Sequence, residues 1–285
     1  MTCRKSQKEQ LPTEDRVRVL RCLTEGCSLR STARMVGVSF NTAVKRLIDA
    51  GKACAKYQHD AMRNLPCRTL QLDEIWAFIA AKEKNVATMA KPIAGAGSIW
   101  TWVAIDAETK LVPSWLVGLR DLTHASAFVC DLASRLKNRV QITTDGLKAY
   151  VQAMEDGFGG EVDHAVLIKV YGDEARDEAR YSPPECVGCQ KHASTGNPIL
   201  SVASARFIER QNLTMRMRMR RFTRLTNAFS KKLANHEHAV ALNFFAYNFI
   251  FRHGTLRMPP ALKAGVTDRW WTYEELVEMI DREQT

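Results

Sequence analysis

The sequence predicts a mixed α/β protein in which a small all-α domain precedes a larger domain built on a β-sheet. Residues 1–52 show the apolar spacing and the capping residues of short helices. From residue 69 onward, apolar residues alternate with polar ones as they do in strands. Helical patterns separate the later strands, so the predicted order is β-β-β-α-β-α-β, which is typical of a mixed five-stranded sheet with helices.

Length and charge limit the possible functions. A chain of 285 residues that is 46% hydrophobic and 25% charged can bury a core and a smaller second unit. The net charge of +10 favours a polyanionic partner such as nucleic acid. The basic residues are concentrated in two blocks, residues 1–60 and residues 210–232, and the second block contains no acid.

The termini and the most apolar segment predict a protein of the cytoplasm, associated with the nucleoid and without a membrane partner. The N-terminus is polar and has no apolar h-region after it. The apolar run over 239–251 is shorter than the roughly 20 residues that a bilayer requires. We therefore expect a buried helix there and reduced thiols in the eight cysteines.

The segment SLRSTARMVGVSFNTAVKRLIDAG is typical of a helix-turn-helix. Ser28 and Ser39 are placed as N-caps of two helices, and Gly37 makes the turn between them. The second helix offers to a DNA groove the side chains Asn41, Lys45 and Arg46. The alternative is an ordinary helical hairpin with a basic solvated face.

A linker and then the predicted sheet domain follow. Residues 53–68 are polar and poorly periodic, and Pro66 breaks any helix, so we expect a linker there. The sheet domain covers 69–235. Its elements are predicted as strands over 69–80, 98–107 and 111–118, a helix over 123–136, a strand over 140–146, a helix over 147–154 and a strand over 164–172.

The last third of the chain is predicted to be irregular at first and then helical. Residues 173–200 are rich in Pro, Gly and Ser and are expected to be an irregular insertion. Met and Arg alternate with period two from Met215 to Arg220, which would suit a strand, but both are good helix formers, and a helix over 207–224 is favoured. Residues 236–285 are predicted to form a C-terminal helical region.

Three acids lie where the predicted topology would bring them together. Asp73 lies within the first strand, Asp145 follows the fourth, and Glu209 lies on the helix after the fifth. The strands that carry Asp73 and Asp145 supply no lysine or histidine. Convergent carboxylates form a hard oxygen site for Mg²⁺ or Mn²⁺, and two such ions can act on a phosphodiester. Taken singly, each of these acids is more often a turn or surface residue than a ligand.

The helix after the fifth strand carries the densest positive charge. Asn212 and Arg216, three and seven residues after Glu209, lie on the same helical face and would approach the same phosphate. The arginines expected to bind DNA are Arg210, Arg218, Arg220, Arg221 and Arg224. A solvated basic face is the alternative.

Five segments together resemble the insertion-sequence-one family of bacterial DDE transposases: LDEIWAF, TTDGLKAY, YSPPECVGC, FIERQNLTMRMRMRRFTRLTNAFSKK and HGTLRMPPALKAGVTD. The resemblance covers 69–270 and, less specifically, the helix-turn-helix. It implies a ribonuclease H-like core, cleavage at the ends of a mobile element and strand transfer of the new 3′-hydroxyl. The family's acids fall on Asp73, Asp145 and Glu209, and its Asn and basic residue fall on Asn212 and Arg216.

The remaining cysteines, histidines and arginines with a possible role in metal or DNA binding lie near the N-terminus, in the segment CVGCQKH and in the segment RHGTLR. Only Cys3, Cys22 and Cys27 precede the helix-turn-helix, which is too few for the four-cysteine zinc finger of some family members, so that finger is not expected. Cys186, Cys189 and His192 have zinc-like spacing, but one Cys-x-x-Cys pair favours free thiols over a structural zinc. The run RHGTLR is similar to a family segment, so DNA binding or packing is expected of Arg252, His253 and Arg257.

The sequence thus predicts a metal-dependent transposase that acts on double-stranded DNA, both terminal inverted repeats and target DNA. Because two DNA ends must be joined, the resemblance implies a homodimer or a higher homo-oligomer. Two alternatives stay open. One is a DNA-binding regulator or a domesticated, catalytically silent transposase, which the three intact acids disfavour. The other is a nuclease of the same fold without strand transfer.

Overall fold

Three helices open the chain in the computed structural model, which describes residues 11–172, 186–223 and 227–284. They are α1 (Thr13–Thr24), α2 (Leu29–Val36) and α3 (Phe40–Ala61). Ser28 caps α2 by accepting a hydrogen bond from the N–H of Ser31, and Ser39 caps α3 in the same way through Thr42. Both predicted caps are confirmed, and the left-handed Gly37 ends α2 as expected (φ 77°).

A six-stranded mixed sheet forms the centre of the molecule. Its strands are β1 (Thr69–Ile79), β2 (Gly97–Asp106), β3 (Trp115–Gly118), β4 (Val140–Thr144), β5 (Val162–Tyr171) and β6 (Cys186–Thr195). The strand order is β3-β2-β1-β4-β5-β6. Strands β1, β4 and β5 are parallel, whereas β2, β3 and β6 are antiparallel to their neighbours. The mixed α/β class is confirmed, and the order is consistent with a ribonuclease H-like fold.

The remaining helices are α4 (Leu122–Arg135), α5 (Ala149–Phe158), α6 (Arg206–Arg218), α7 (Leu233–Phe245), α8 (Pro260–Lys263) and α9 (Tyr273–Arg282). A 3₁₀ turn over Arg220–Phe222 follows α6, and a π-helical turn over Ala246–Ile250 continues α7. In the part of the chain that the structure describes, no helix has the length and the apolar character needed to cross a bilayer.

The predicted linker over 53–68 is wrong in its first half, because α3 continues without a break to Ala61. Ala53 and Cys54 are buried, and the amide of Gln58 donates to the carbonyl of Ala241 (3.1 Å). The polar residues of this segment therefore belong to the exposed face of a packed helix. Gly51 allows the close approach, since a Cβ there would lie 2.5 Å from the Cα of His238 on α7.

Two predictions for the second half of the chain also need correction. The predicted irregular insertion over 173–200 contains β6, which pairs along β5 and makes the sheet six-stranded rather than five-stranded. Residues 173–185 lie outside the described part of the chain. The predicted helix over 207–224 ends at Arg218, because the chain turns so that the side chain of Phe222 enters the core.

The N-terminal helices share one core with the C-terminal helices. Helix α1 packs on α9, and α3 packs on both α7 and α9. The nearly buried guanidinium of Arg16 binds the carboxylate of Asp281 through both nitrogens (2.5 and 2.9 Å). A single apolar cluster runs from Val17 to Ile280. This packing fixes the helix-turn-helix on helices α7 and α9.

Candidate functional site

The register of β1 and β4 brings two predicted acids to the same level of the sheet. Gln71 lies beside Thr143 in this parallel pair. Asp73 and Asp145 each follow two residues later, where β4 has ended and β1 continues without a partner on that side. Oxygens of Asp73, Glu74 and Asp145 all lie within 4.8 Å of one another. These three residues are called the carboxylate cluster below.

Glu74 is the member of the carboxylate cluster that sequence reasoning missed. In this strand only Asp73 is predicted from the sequence as a ligand, and adjacent strand residues ordinarily point to opposite faces. Between Gln71 and the bridge from Ile79 to Ser230, the edge of β1 toward β4 pairs with no described strand, and both carboxylates come within 4.8 Å of Asp145 there. The available signal was a second acid directly after Asp73, followed by five apolar residues to the end of the strand.

Burial and charge repulsion make the carboxylate cluster unfavourable in its fully ionised form. Burial, reinforced by the charges of Asp145 and Glu209, raises the pKa of Asp73 to about 6. Burial, with the charges of Asp145 and Asp73, raises the pKa of Glu74 to about 7. The Glu74 side chain is only 1% exposed, and the interaction with the buried Tyr150 hydroxyl offsets only part of the cost of its charge. A cation placed between these oxygens would relieve both effects.

Arg120, in the loop after β3, partly compensates the carboxylate cluster. Its Nε donates to Glu74 Oε2 (3.0 Å), and its Nη2 donates to Asp145 Oδ2 (3.4 Å). Its guanidinium also lies 5.0 Å from the ring centroid of Trp100, which orients it. Sequence reasoning did not single out this arginine, because it lies in a loop without a motif.

The carboxylate cluster can hold a metal ion. Its donors are hard oxygen atoms, which suit Mg²⁺ or Mn²⁺ and not a soft-ligand metal. The raised pKa values of Asp73 and Glu74 indicate negative charge that lacks sufficient compensation. The residues present therefore fit the expected class of cofactor.

Glu209, the third predicted ligand, does not belong to the group within 4.8 Å. It is exposed on α6 and forms an ion pair with Lys169 of β5. Its charge nevertheless contributes to the raised pKa of Asp73, so the two carboxylates are within electrostatic reach. The expected convergence of three named acids is therefore met for two, and Glu74 is the third acid of the cluster.

Hydrogen bonds join helix α6 to strand β1 beside the carboxylate cluster. The side-chain oxygen of Gln71 accepts hydrogen bonds from the backbone N–H groups of Phe207 (2.8 Å) and Ile208 (3.1 Å) at the start of α6. One turn after Glu209, Asn212 Nδ2 donates to Asp73 Oδ2 (2.8 Å). Asn212 was expected to face a phosphate, but it is buried and holds Asp73 in place. Arg216, a further turn along, is half-buried.

The predicted DNA-binding residues of the helix-turn-helix differ in their availability. Asn41 is exposed in the first turn of α3. Lys45 is exposed but pairs with Asp49 (2.6 Å). The Arg46 side chain is only 12% exposed and also pairs with Asp49 (3.4 Å), so it is a poor candidate for a DNA contact.

The predicted basic residues after Glu209 divide between the two ends of α6. Arg210 is exposed. Burial lowers the pKa of His253, and the charges of Lys110 and Arg210 lower it further. At the other end, Arg218 lies over the Phe251 ring, 3.6 Å from its centroid, and Arg220 is exposed. Arg221 donates to Ser230 Oγ (2.8 Å), and burial lowers its pKa to about 10. Arg224 lies outside the described residues.

The two remaining groups of predicted site residues are the possible zinc ligands on β6 and the residues of the RHGTLR segment. Cys186 and Cys189 are exposed on β6, and His192 does not join them in any metal-type cluster among the described residues. Arg252 and Arg257 are exposed. His253 is half-buried, with its ring 6.4 Å from that of Tyr247, which is a packing contact.

Comparison with known proteins identifies no relative: no protein-family model and no curated protein matches the chain.

Proposed function

We propose that this protein is a metal-dependent DNA transposase with a ribonuclease H-like catalytic core. The fold supports the proposal through its parallel β1, β4 and β5 flanked by antiparallel strands. The resemblance of LDEIWAF, TTDGLKAY and the Glu209 segment to the transposase family points the same way. The observation that carries most weight is the meeting of Asp73 and Asp145 within the carboxylate cluster.

Asp73, Asp145 and Glu74 would hold the metal, with Glu209 as a further ligand. Asn212, which contacts Asp73, lies three residues after Glu209 and therefore on the same face of α6. To act as a ligand, Glu209 would have to leave Lys169. When bound, Mg²⁺ ions supply stabilisation of the attacking and leaving oxygens of a phosphodiester.

The chain's own cations bind and orient the DNA in this proposal. Arg120 and Lys169, which now neutralise Asp145 and Glu209, are placed to exchange those partners for phosphates. Arg210 and Arg216 extend the positive surface along α6. The start of α3 would bind the terminal inverted repeats, and a dimer or a larger assembly would hold two DNA ends together.

The decisive experiment incubates the purified protein with labelled DNA that carries the inverted repeats flanking its gene, in the presence of Mg²⁺. The parent is compared with Asp145→Asn and with Glu155→Gln, which changes an exposed carboxylate on α5. Cleaved and joined products from the parent and from Glu155→Gln, but not from Asp145→Asn, are expected.

Other outcomes of this experiment separate the alternatives. Cleavage without joined products would indicate a nuclease. DNA binding without Mg²⁺-dependent chemistry would indicate a regulator and overturn the enzymatic proposal. Products that persist undiminished in Asp145→Asn would contradict the assigned site.

A further inference from the structure

A cavity of about 660 Å³ lies between the helix-turn-helix and the C-terminal end of α6. One side comes from the α1–α2 turn, α2 and the first turns of α3, and the other from the 3₁₀ turn after α6 and the start of α7. It is called the interhelical cavity below. It is separate from the carboxylate cluster, and none of its lining residues belongs to that cluster.

All the charged residues that line the interhelical cavity, among those that the structure describes, are basic. Its cations are Arg30, Arg218, Arg220, Arg221, Lys231 and Lys232. No aspartate or glutamate lines it among the residues that the structure describes. Arg220, Lys231 and Lys232 are exposed and make no ion pair with a described residue. Arg218 pairs with Glu25 outside the lining (3.8 Å), but the charges of Arg220, Lys231 and Lys232 repel one another, and an anion in the cavity would relieve that repulsion.

The interhelical cavity also has an apolar and aromatic wall. Leu29, Phe40, Val44 and Phe229 contribute to it. Phe40 is 43% exposed, although it is a large aromatic residue in the first turn of a helix. The guanidinium of Arg30 lies 5.2 Å from the centroid of its ring. Exposed aromatic rings next to arginines are the usual stacking platforms for unpaired bases.

The size of the interhelical cavity decides what can enter it. A volume of about 660 Å³ lies within the range of about 300–1,000 Å³ that is usual for small-molecule sites. A DNA duplex does not fit in this volume, because its two backbones stand on either side of a major groove that is itself about 12 Å wide. A single nucleotide has a flat base for the aromatic wall and a phosphate for the cations. Asn41 also lines the cavity and offers hydrogen bonds to a base edge.

We propose that the interhelical cavity binds one unpaired nucleotide of a DNA strand. The base stacks on Phe40, and the phosphates lie against Arg220, Lys231 and Lys232. This inference rests on the proposed function in one respect, namely that DNA is the partner. In this proposal the first turn of α3 contacts an unpaired nucleotide, in addition to any contact that it makes with duplex DNA.

The test measures equilibrium binding in EDTA, so that it does not depend on catalysis. The probes are a blunt duplex oligonucleotide and the same duplex with a short single-stranded extension that contains 2-aminopurine. The parent is expected to prefer the extended duplex and to quench the 2-aminopurine by stacking. Phe40→Ala should reduce the preference about tenfold or more, since stacking of one base on one aromatic ring has effects of that size.

Matched variants separate stacking from general damage. Phe40→Trp should keep the preference, because its ring still stacks. Leu122→Ala removes an apolar side chain that is 46% exposed in the first turn of α4 and should change nothing. Lys231→Gln should weaken the binding of the extended duplex and reduce its salt dependence. Circular dichroism on each variant confirms that the fold is kept.

Three results would overturn the inference: equal binding of blunt and extended duplexes by the parent, equal effects of Phe40→Ala and Leu122→Ala, or binding of a free deoxynucleoside monophosphate as tightly as the strand. The Mg²⁺-dependent cleavage assay tests the proposed function separately through Asp145. If cleavage depends on Asp145 but the extension gives no preference, only this inference fails. If the extension is preferred but no cleavage occurs, the enzymatic proposal fails and the nucleotide site stands.

Discussion

Replacing Asp73 with asparagine is expected to stabilise the metal-free protein at neutral pH and to remove its response to Mg²⁺. The substitution removes one buried negative charge from the carboxylate cluster and keeps the shape of the side chain. Both hydrogen bonds of Asp73 can be kept. The N–H of Glu74 still meets an oxygen, and Asn212, whose Oδ1 accepts from no residue that the structure describes, can turn its amide to accept from the new NH₂ group.

The magnitude follows from the pKa of Asp73. A rise from 3.8 to about 6 makes the ionised carboxylate about 3 kcal/mol less stable in the folded protein. Because the folded-state pKa lies above the unfolded value, the wild-type protein loses this stability as the pH rises from about 4 to 6. The asparagine variant has no such loss. We expect it to be more stable by about 1–3 kcal/mol at pH 7.5, with the advantage disappearing toward pH 4.

Urea unfolding followed by tryptophan fluorescence in EDTA measures this difference at both pH values. Mg²⁺ at about one hundred times its Kd should add about 2.7 kcal/mol to the wild-type protein and nothing to the variant. Glu155→Gln, which alters an exposed carboxylate, should match the wild type throughout. A variant that is destabilised equally at both pH values, or stabilised by Mg²⁺ as strongly as the wild type, would refute the reasoning.

Three further outcomes are expected. Gly51→Ala should destabilise the protein by about 1–3 kcal/mol in urea titrations, because its Cβ would meet the backbone of His238; an unchanged midpoint would contradict the close packing of α3 and α7. Burial lowers the pKa of His236 to about 3, so its stabilising effect is present above pH 6.5 and is lost as the pH falls. The cost of His236→Asn should therefore be about 2 kcal/mol smaller at pH 5 than at pH 7.5, and an equal cost would exclude a neutral buried histidine. Lys169→Met should free Glu209 and lower the Mg²⁺ concentration needed for thermal stabilisation about 2- to 5-fold; a higher requirement would show that Lys169 supports the metal site.

Local patterns in the sequence were sufficient for much of the fold. The caps Ser28 and Ser39, the turn at Gly37 and the five predicted strands depend on residues that are neighbours along the chain. Such features appear in a single sequence because backbone conformation and amphipathic spacing are local properties. Local patterns failed over 53–61, where polar residues on one face of α3 concealed the buried face on which Ala53 and Cys54 lie.

The sequence by itself determined the mixed α/β fold class, the choice of Asp73 and Asp145 as candidate ligands and the concentration of arginine after Glu209. Only the tertiary structure decided that β1 extends beyond the end of β4 and that Glu74 lies in the carboxylate cluster. The same holds for the pairing of Lys169 with Glu209. It also decided that Phe40 and Asn41 line a cation-rich cavity with Arg220. The physical reason is that strand register and helix packing join residues distant in the chain, and no local spacing encodes which of them meet.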